Sequence, residues 1–434
     1  MTREAGLIRR GVLWLLLLGP LFFLSYGLAN SYTAGRDDIG TLVFDWERHV
    51  PLWPWTILPY WSIDLLYGLS FLLPNTRREM DRHALALLTA QCISVACFLL
   101  WPLRFTFERP ELGGVFGWLF EVLMGFDKPY NQAPSLHIAL LVIIWTMFAR
   151  HTARSGWRLI VHGWMGLIGV SVLTTWQHHF IDVPTGALVG LLCVWLWPAQ
   201  GPLPLTQARL ARDRRRWRIA LGYALGALLC AGLTLHLGGY GLWLLWPAVS
   251  LLMVALNYSL FGAAGFQKNA SGQSSNAVQW LLAPYRLGAW LNSRLWTWRH
   301  PQPDEVWEGV HLGRLPSRSQ AARFAAIVDL SAELSIPASS AACTSLPCLD
   351  LIAPTPEVLR EAAASIERLR SRGPLLVCCA LGYSRSASAV AAWLIQSGRC
   401  LDVDHAEALI RQARPHVVLR AEHRLALSRL GGQS

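Results

Sequence analysis

The sequence predicts a multi-domain chain: a polytopic all-α membrane domain of about eight spans, followed by an α/β domain. Three observations carry this. Apolar runs of about 17–23 residues recur through the first 262 residues. The composition is 53% hydrophobic and only 15% charged, with 22 Trp, which is less charge than a soluble chain of this length carries. Near the C-terminus an apolar run, Leu375 to Val377, leads into a short loop and then a helical pattern, Ala387 to Ile395, the order of a strand, a tight loop and a helix N-terminus.

Spans read at 11–30, 55–73, 84–103, 136–149, 158–175, 183–198, 218–236 and 241–262. The first lacks a small-residue cleavage site and more spans follow, so it reads as an anchor rather than a signal peptide. Trp and Tyr near span ends fit interfacial belts. Basic residues alternate from loop to loop. Arg3, Arg9 and Arg10, then Arg77, Arg78 and Arg82, then Arg150, Arg154 and Arg158, and six arginines from Arg209 to Arg218 fall on one side. The other loops hold only Arg36, Arg48, Arg104, Arg109 and Lys128. The asymmetry predicts a multi-pass protein with both termini, and the C-terminal domain, in the cytoplasm. These arginines largely explain the net charge of +11, which follows topology rather than one groove and argues against a nucleic-acid partner. Nine scattered Cys form no disulfide framework.

Small residues in the seventh span (Gly222, Gly226, Ala227, Ala231, Gly232) predict close helix packing there. Residues 262–276, rich in Gly, Ser and Asn, read as a linker. Beyond them Trp280, Trp290, Trp296 and Trp298 interleave with Arg286, Arg294 and Arg299, as in a segment lying on the inner leaflet; the first helix of the soluble domain is the other reading. The chain divides into a six-span core at 1–200, two further spans at 201–262, a linker and interfacial segment at 263–303, and the C-terminal domain at 304–434. No Walker loop, dinucleotide fingerprint or zinc spacing is present, so no cofactor or metal is expected.

Chemistry concentrates in two places. In the stretch Val377-Cys378-Cys379-Ala380-Leu381-Gly382-Tyr383-Ser384-Arg385-Ser386, Cys379 and Arg385 bracket five residues, and a hydroxyl follows. A strand–loop–helix turn of this kind points N–H groups inward and binds a phosphate-like dianion. The same potential favours a Cys379 thiolate nucleophile, and Arg385 offers a planar fork for two phosphate oxygens. Phosphate-ester hydrolysis through a cysteinyl-phosphate follows.

This stretch resembles the signature loop of dual-specificity protein tyrosine phosphatases, over about residues 304–425. The resemblance implies an α/β Cys-phosphatase domain with Cys379 as nucleophile, Arg385 and Gly382 in the phosphate loop, and Ser386 beside the thiolate. It places the general acid at Asp350, within Leu349-Asp350-Leu351, and matches Arg414-Pro415 to a late helix feature. Cys378 stands where the family usually has His.

The second place is the predicted outer face. Arg104, Arg109, Ser135, His137, His178, His179 and Asp182 all fall at span ends on that side, and ionisable residues there are functional candidates. His178 and Asp182 are four apart, so on a helical corner Asp182 orients the imidazole. The set resembles the type 2 phosphatidic acid phosphatase family over residues 1–200, through Arg109-Pro110, Pro134-Ser135-Leu136-His137, Ser171 and His178-x-x-x-Asp182. Leu136 replaces the usual Gly and Val172 the usual Arg. The resemblance implies His178 as nucleophile through a phosphohistidine, Asp182 orienting it, and His137 protonating the leaving alcohol. Arg104, Arg109 and Ser135 would hold phosphate oxygens.

The combination resembles bacterial fusions of the two families. It implies an inner-membrane phosphoric monoester hydrolase with an outer His-based lipid-phosphate site and a cytoplasmic Cys-based site, acting on phosphorylated lipids or on phosphoproteins. Two alternatives stand beside it: an outer half that transfers lipid head groups, or one that binds lipid without turnover and anchors a cytoplasmic protein phosphatase.

Overall fold

Hydroxyl side chains start several of the helices: Thr76, Ser135, Ser275 and Thr355 each accept a bond from the backbone N–H three residues on. The structure, a computed structural model, describes residues 3–430; the first two residues of the expected 1–200 core and the last four of the expected 304–434 domain lie outside the described residues. Two units result, one formed by residues up to 206 together with 233–243, the other by 207–232 and the residues from 244 onward.

The first unit is helical: α1 (Leu7–Ala34), α2 (Ile57–Ser70), α3 (Arg77–Leu100), α4 (Gly114–Phe126), α5 (Leu136–His151), α6 (Ser155–Thr174), α7 (Asp182–Leu196) and the short α8 (Pro204–Gln207). α5 packs against α2, α3, α6 and α7, while α1 lies on α3. Leu87, Ala90, Ile138, Leu141, Ile144, Ile168 and Val172 are buried in the shared core. The closest approach is α5 to α7. A Cβ at Gly186 would sit 2.5 Å from the Ser135 carbonyl oxygen, and one at Gly190 2.7 Å from that of Ala139. Small residues four apart therefore let two backbones touch, and they bring Asp182 beside Ser135.

The second unit begins with the first part of α9 (Arg214–Leu237) and α10 (Leu245–Leu256), then α11 (Asn276–Leu281) and α12 (Ala283–Trp296). A five-stranded sheet follows: β1 (Asp304–Trp307), β2 (Val310–Arg314), β3 (Ala326–Ser331), β4 (Ala342–Cys348) and β5 (Leu375–Cys379), in the order β1-β2-β5-β3-β4. Only the β1–β2 pair is antiparallel. The helices α13 (Arg318–Ala321), α14 (Pro356–Arg370), α15 (Arg385–Gln396), α16 (Val403–Ala413) and α17 (Ala421–Ser428) complete the unit. β5 is central and fully buried, as expected of a parallel strand covered on both faces.

Among the described residues, five helical segments are long and apolar enough to cross a membrane: α1, α3, α6, α9 and the run Gly239–Phe266 that contains α10. That suggests membrane association. The expected count of about eight spans is not reproduced. The stretches expected at 55–73, 136–149 and 183–198 form helices of 14, 16 and 15 residues, short of the ~20 that a bilayer requires. Gly114–Phe126 adds a 13-residue apolar helix that was not expected.

Other differences concern packing. In the seventh span Gly222 and Gly232 meet nothing within 4 Å, whereas a Cβ at Gly226 would lie 3.3 Å from the Leu251 side chain and Ala227 is buried; the tightest helix-to-helix approach is at Gly186 and Gly190. The expected linker is folded: Phe266 is buried, Lys268 bridges to Ser274, and Gly272 adopts φ +77° against Ile336. Its Gly, Ser and Asn residues build tight turns. The Lys268 side chain is fully buried, paired with Asp329, and donates to the Ser331 and Leu334 carbonyls at 2.5 Å each. α12 combines both readings given for it. Ser293 and Ala289 face the domain, while Trp290, Leu291, Leu295 and Trp296 are exposed.

Candidate active site

Strand alternation decides which cysteine meets solvent chemistry. Along β5, Leu375, Val377 and Cys379 face the α14–α15 side, while Leu376, Cys378 and Ala380 face the opposite apolar cluster. Cys379 ends the strand, and α15 starts six residues later at Arg385. The Cys379 sulfur accepts from the Gly382 N–H at 3.3 Å and from the Ser386 hydroxyl at 3.2 Å. Gly382 is required twice over. Its φ is +76°, and a Cβ there would lie 2.3 Å from the Gly313 carbonyl carbon.

The loop's carbonyls are turned outward and occupied. Ala380 accepts from the Ser293 hydroxyl at 2.5 Å, Leu381 and Gly382 from the Arg414 guanidinium at 3.4 and 3.1 Å, and Tyr383 from the Val418 N–H at 2.9 Å. Four outward carbonyls leave the intervening N–H groups for the interior, the arrangement of an anion nest. Arg414 is itself anchored on Asp304 at 2.6 Å.

Arg385 is buried and doubly held: Glu333 takes both its η nitrogens at 2.9 and 2.7 Å, and the Cys348 carbonyl accepts at 2.7 Å. Asp350, 33% exposed, accepts from Arg385 at 2.9 Å. Burial pushes the Asp350 carboxyl above its ordinary value; Arg385 opposes the rise and Glu333 adds to it. Burial acts the same way on Glu333, but there Arg385 prevails and the carboxyl stays below its ordinary range. The Cys378 thiol is pushed well above its usual value by burial, with Asp329 adding to the rise, so it stays protonated. A cavity of about 60 Å³ joins Cys379, Arg385, Asp350, Tyr383, Arg215 and Arg420. Tyr258, on the Gly239–Phe266 segment, donates to the Asp350 carbonyl at 3.0 Å.

All five residues expected at this site therefore lie together: Cys379, Arg385, Asp350, Ser386 and Gly382. Glu333, Ser293 and Arg215 were not anticipated, and Arg414, matched only to a late helix feature, proves to hold the loop's carbonyls. Glu333 left a trace, since two acids, Asp329 and Glu333, sit in a run from Val328 that is otherwise uncharged, and buried carboxylates need partners. Ser293 and Arg215 come from distant segments and left none.

In the helical unit the expected set assembles only in part. His178 is buried, with Nε2 at 3.0 Å from the Ser135 hydroxyl and Nδ1 at 3.1 Å from Asp182. His137 lines the same cavity, stacked on Tyr60 at 4.3 Å. The arginines do not join them. Arg109 donates to the carbonyls of Thr175 at 2.9 Å and Trp176 at 2.6 Å, capping the end of α6. Arg104 is exposed and absent from the cavity lining, and the Ser171 hydroxyl bonds the Ile168 carbonyl. Of the expected phosphate clamp, only Ser135 lies against His178; the carbonyls at the helix end engage Arg109. His179 is held between Glu47 and Thr106 and lies outside that lining.

Comparison with known proteins bears on the second unit. Residues 312–431 match the family described as dual specificity phosphatase, catalytic domain. Among solved structures, Tk-PTP in its active form is 26% identical over 31% of this chain and 99% of its own, with a TM-score of 0.29. Human DUSP28 is 25% identical over 30% of this chain and 93% of its own, with a TM-score of 0.28. PTPMT1 in complex with PI(5)P is 21% identical over 29% of this chain and 92% of its own, with a TM-score of 0.27. No curated protein matches the chain. The family match leaves the helical unit uncovered and supports, for the C-terminal part of the chain, a dual-specificity phosphatase domain that acts through a cysteine intermediate.

Proposed function

We propose that the chain is a membrane-borne cysteine phosphatase that hydrolyses phosphomonoesters presented at the bilayer surface, lipid phosphates first among them. The observation that carries this is the cavity joining Cys379, Arg385 and Asp350 to Arg215. Arg215 is the second residue of α9, a helix long and apolar enough to span a bilayer. At about 1.5 Å rise per residue, it lies within roughly one turn of the apolar run that starts near Trp217. A site so close to the headgroups meets lipid phosphates without extracting them. The exposed Trp290, Trp296 and Trp298 suit the same depth.

In the mechanism, the Cys379 thiolate attacks phosphorus. An S–P bond forms as the P–O bond to the alcohol breaks, and Asp350 gives its proton to the departing oxygen. Arg385 and the loop N–H groups hold the equatorial oxygens. Water then attacks the cysteinyl-phosphate, with Asp350 accepting its proton. Inorganic phosphate leaves, and Ser386 donates to the released thiolate.

For the helical half, the Ser135–His178–Asp182 chain supports a reactive or ligand-binding imidazole. The absence of arginine or lysine from its cavity weighs against a phosphomonoester dianion there and towards the head-group-transfer or lipid-anchor alternatives. Full-length protein in lipid nanodiscs tests the main reading. The kcat/KM for a long-chain lipid phosphomonoester should exceed that for a phosphopeptide by at least ~10-fold, and Arg215→Ala should erode that margin. A phosphopeptide preference, unchanged by Arg215→Ala, overturns the lipid assignment.

A further inference from the structure

The cavity beside His178 has a lining suited to the opposite charge from the one first expected. It encloses about 110 Å³ within the helical unit. Tyr26, Tyr60, Trp61 and Phe126 contribute aromatic surface, and Asp64 and Asp127 are the charged groups. No arginine or lysine lines it. Asp127 is buried and accepts from the Tyr26 hydroxyl at 2.8 Å and from that of Tyr60 at 3.3 Å, while Arg109, engaged on backbone carbonyls outside the lining, and His178 act on it electrostatically. Asp64, on α2, is exposed at the cavity and has no hydrogen bond or ion pair among the described residues. An unpaired carboxylate on an apolar helix calls for a counter-charge. The His137 Nε2 is enclosed and likewise has no hydrogen-bond partner.

A metal ion is a poor candidate for that counter-charge, because no group of three or more His, Cys, Asp or Glu is placed to hold one among the described residues. Aromatic faces together with carboxylates are the chemistry that recognises an organic ammonium ion. We infer that this cavity binds an ammonium group, of the kind that ends a zwitterionic phospholipid headgroup. His178, which lines the same space, then stands beside the headgroup. The inference is independent of the phosphatase reading of Cys379. It gives the helical half a ligand class, the ammonium-bearing phosphodiester lipids, that differs from the phosphomonoesters of the cysteine site.

Native mass spectrometry of the full-length protein in detergent tests it, with phosphatidylethanolamine, phosphatidylglycerol and phosphatidate of matched chains as the added lipids. Phosphatidylethanolamine should be retained about 10-fold more tightly than either anionic lipid. Asp64→Asn and Asp127→Asn should each reduce that preference; the amide oxygen of the second still accepts from Tyr26. A thermal midpoint and helical circular dichroism like those of the wild type confirm folding in both variants. Failure of free ethanolamine to displace the lipid identifies a lipid headgroup as the source, whereas displacement identifies a soluble amine. Retention of phosphatidate at least as tight as phosphatidylethanolamine by the wild-type protein overturns the inference whether or not the variants fold. So does an unchanged preference in both folded variants.

Discussion

Cys378 and Cys379 are adjacent in sequence and opposite in chemistry, because a strand sends successive side chains to opposite faces. Cys379 receives two hydrogen bonds at the mouth of a cavity, whereas Cys378 is sealed in an apolar layer. The spacing to Arg385 and the glycine at 382 made this assignment legible in the sequence alone. The departure at Cys378 was legible too, but its consequence was not, since the filling of the space beside it depends on Lys268 and Asp329 from remote segments. Iodoacetamide at neutral pH should alkylate Cys379 and spare Cys378, as read by peptide mapping; Cys379→Ser should lower hydrolysis by at least ~10³-fold. Asp350 gives a pH prediction. It acts as an acid only while protonated, and burial raises its pKa in the folded protein. Activity on alkyl phosphates should therefore fall with rising pH along a limb lying above the ordinary aspartate value of ~3.9. Asp350→Asn should remove that limb in a pH–rate profile while sparing activated aryl phosphates.

The phosphate loop keeps its shape because two segments grip its carbonyls and a third leaves room for its glycine. α12 supplies Ser293, the segment after α16 supplies Arg414 and Val418, and the close pass of Gly313 on β2 admits Gly382. The supporting frame extends further. Lys268, from the turn-rich segment before α11, holds the carbonyls of Ser331 and Leu334, which flank the Glu333 that clasps Arg385. Composition suggested a loose linker at 262–276 and could not reveal that one lysine in it pairs with a buried Asp329. Lys268→Met leaves Asp329 buried without its cation and should cost about 3–5 kcal/mol of stability, seen as a lowered thermal midpoint. Glu333→Gln removes the charge that fixes Arg385 and should lower kcat/KM about 10–100-fold, with little change in far-ultraviolet circular dichroism. In the helical unit, the Gly186 and Gly190 contact was hidden for a related reason. Both glycines were in view, but only the placement of α5 shows which small residues face a backbone.

Two units of different character share this chain, and hydropathy and the cysteine loop announced both. The span count is not confirmed, because Ile57–Ser70, Leu136–His151 and Asp182–Leu196 are helices of only 14, 16 and 15 residues. Of the residues expected to clamp phosphate at the outer site, Ser135 meets His178, whereas Arg109 engages the open carbonyls at the end of α6. On the proposed reading, the chemistry is tied to the bilayer by the arginine-rich start of α9, whose Arg215 borders the cysteine cavity and pairs with Glu422 at 2.5 Å. The most direct measurement is rapid acid quenching of the full-length protein while it turns over a lipid phosphomonoester in nanodiscs, followed by mass spectrometric mapping of the phosphate adduct. The adduct should reside on Cys379, accumulate within the first turnover and vanish in Cys379→Ser. Undiminished phosphate release by Cys379→Ser, or an adduct on His178 with none on Cys379, contradicts the assignment.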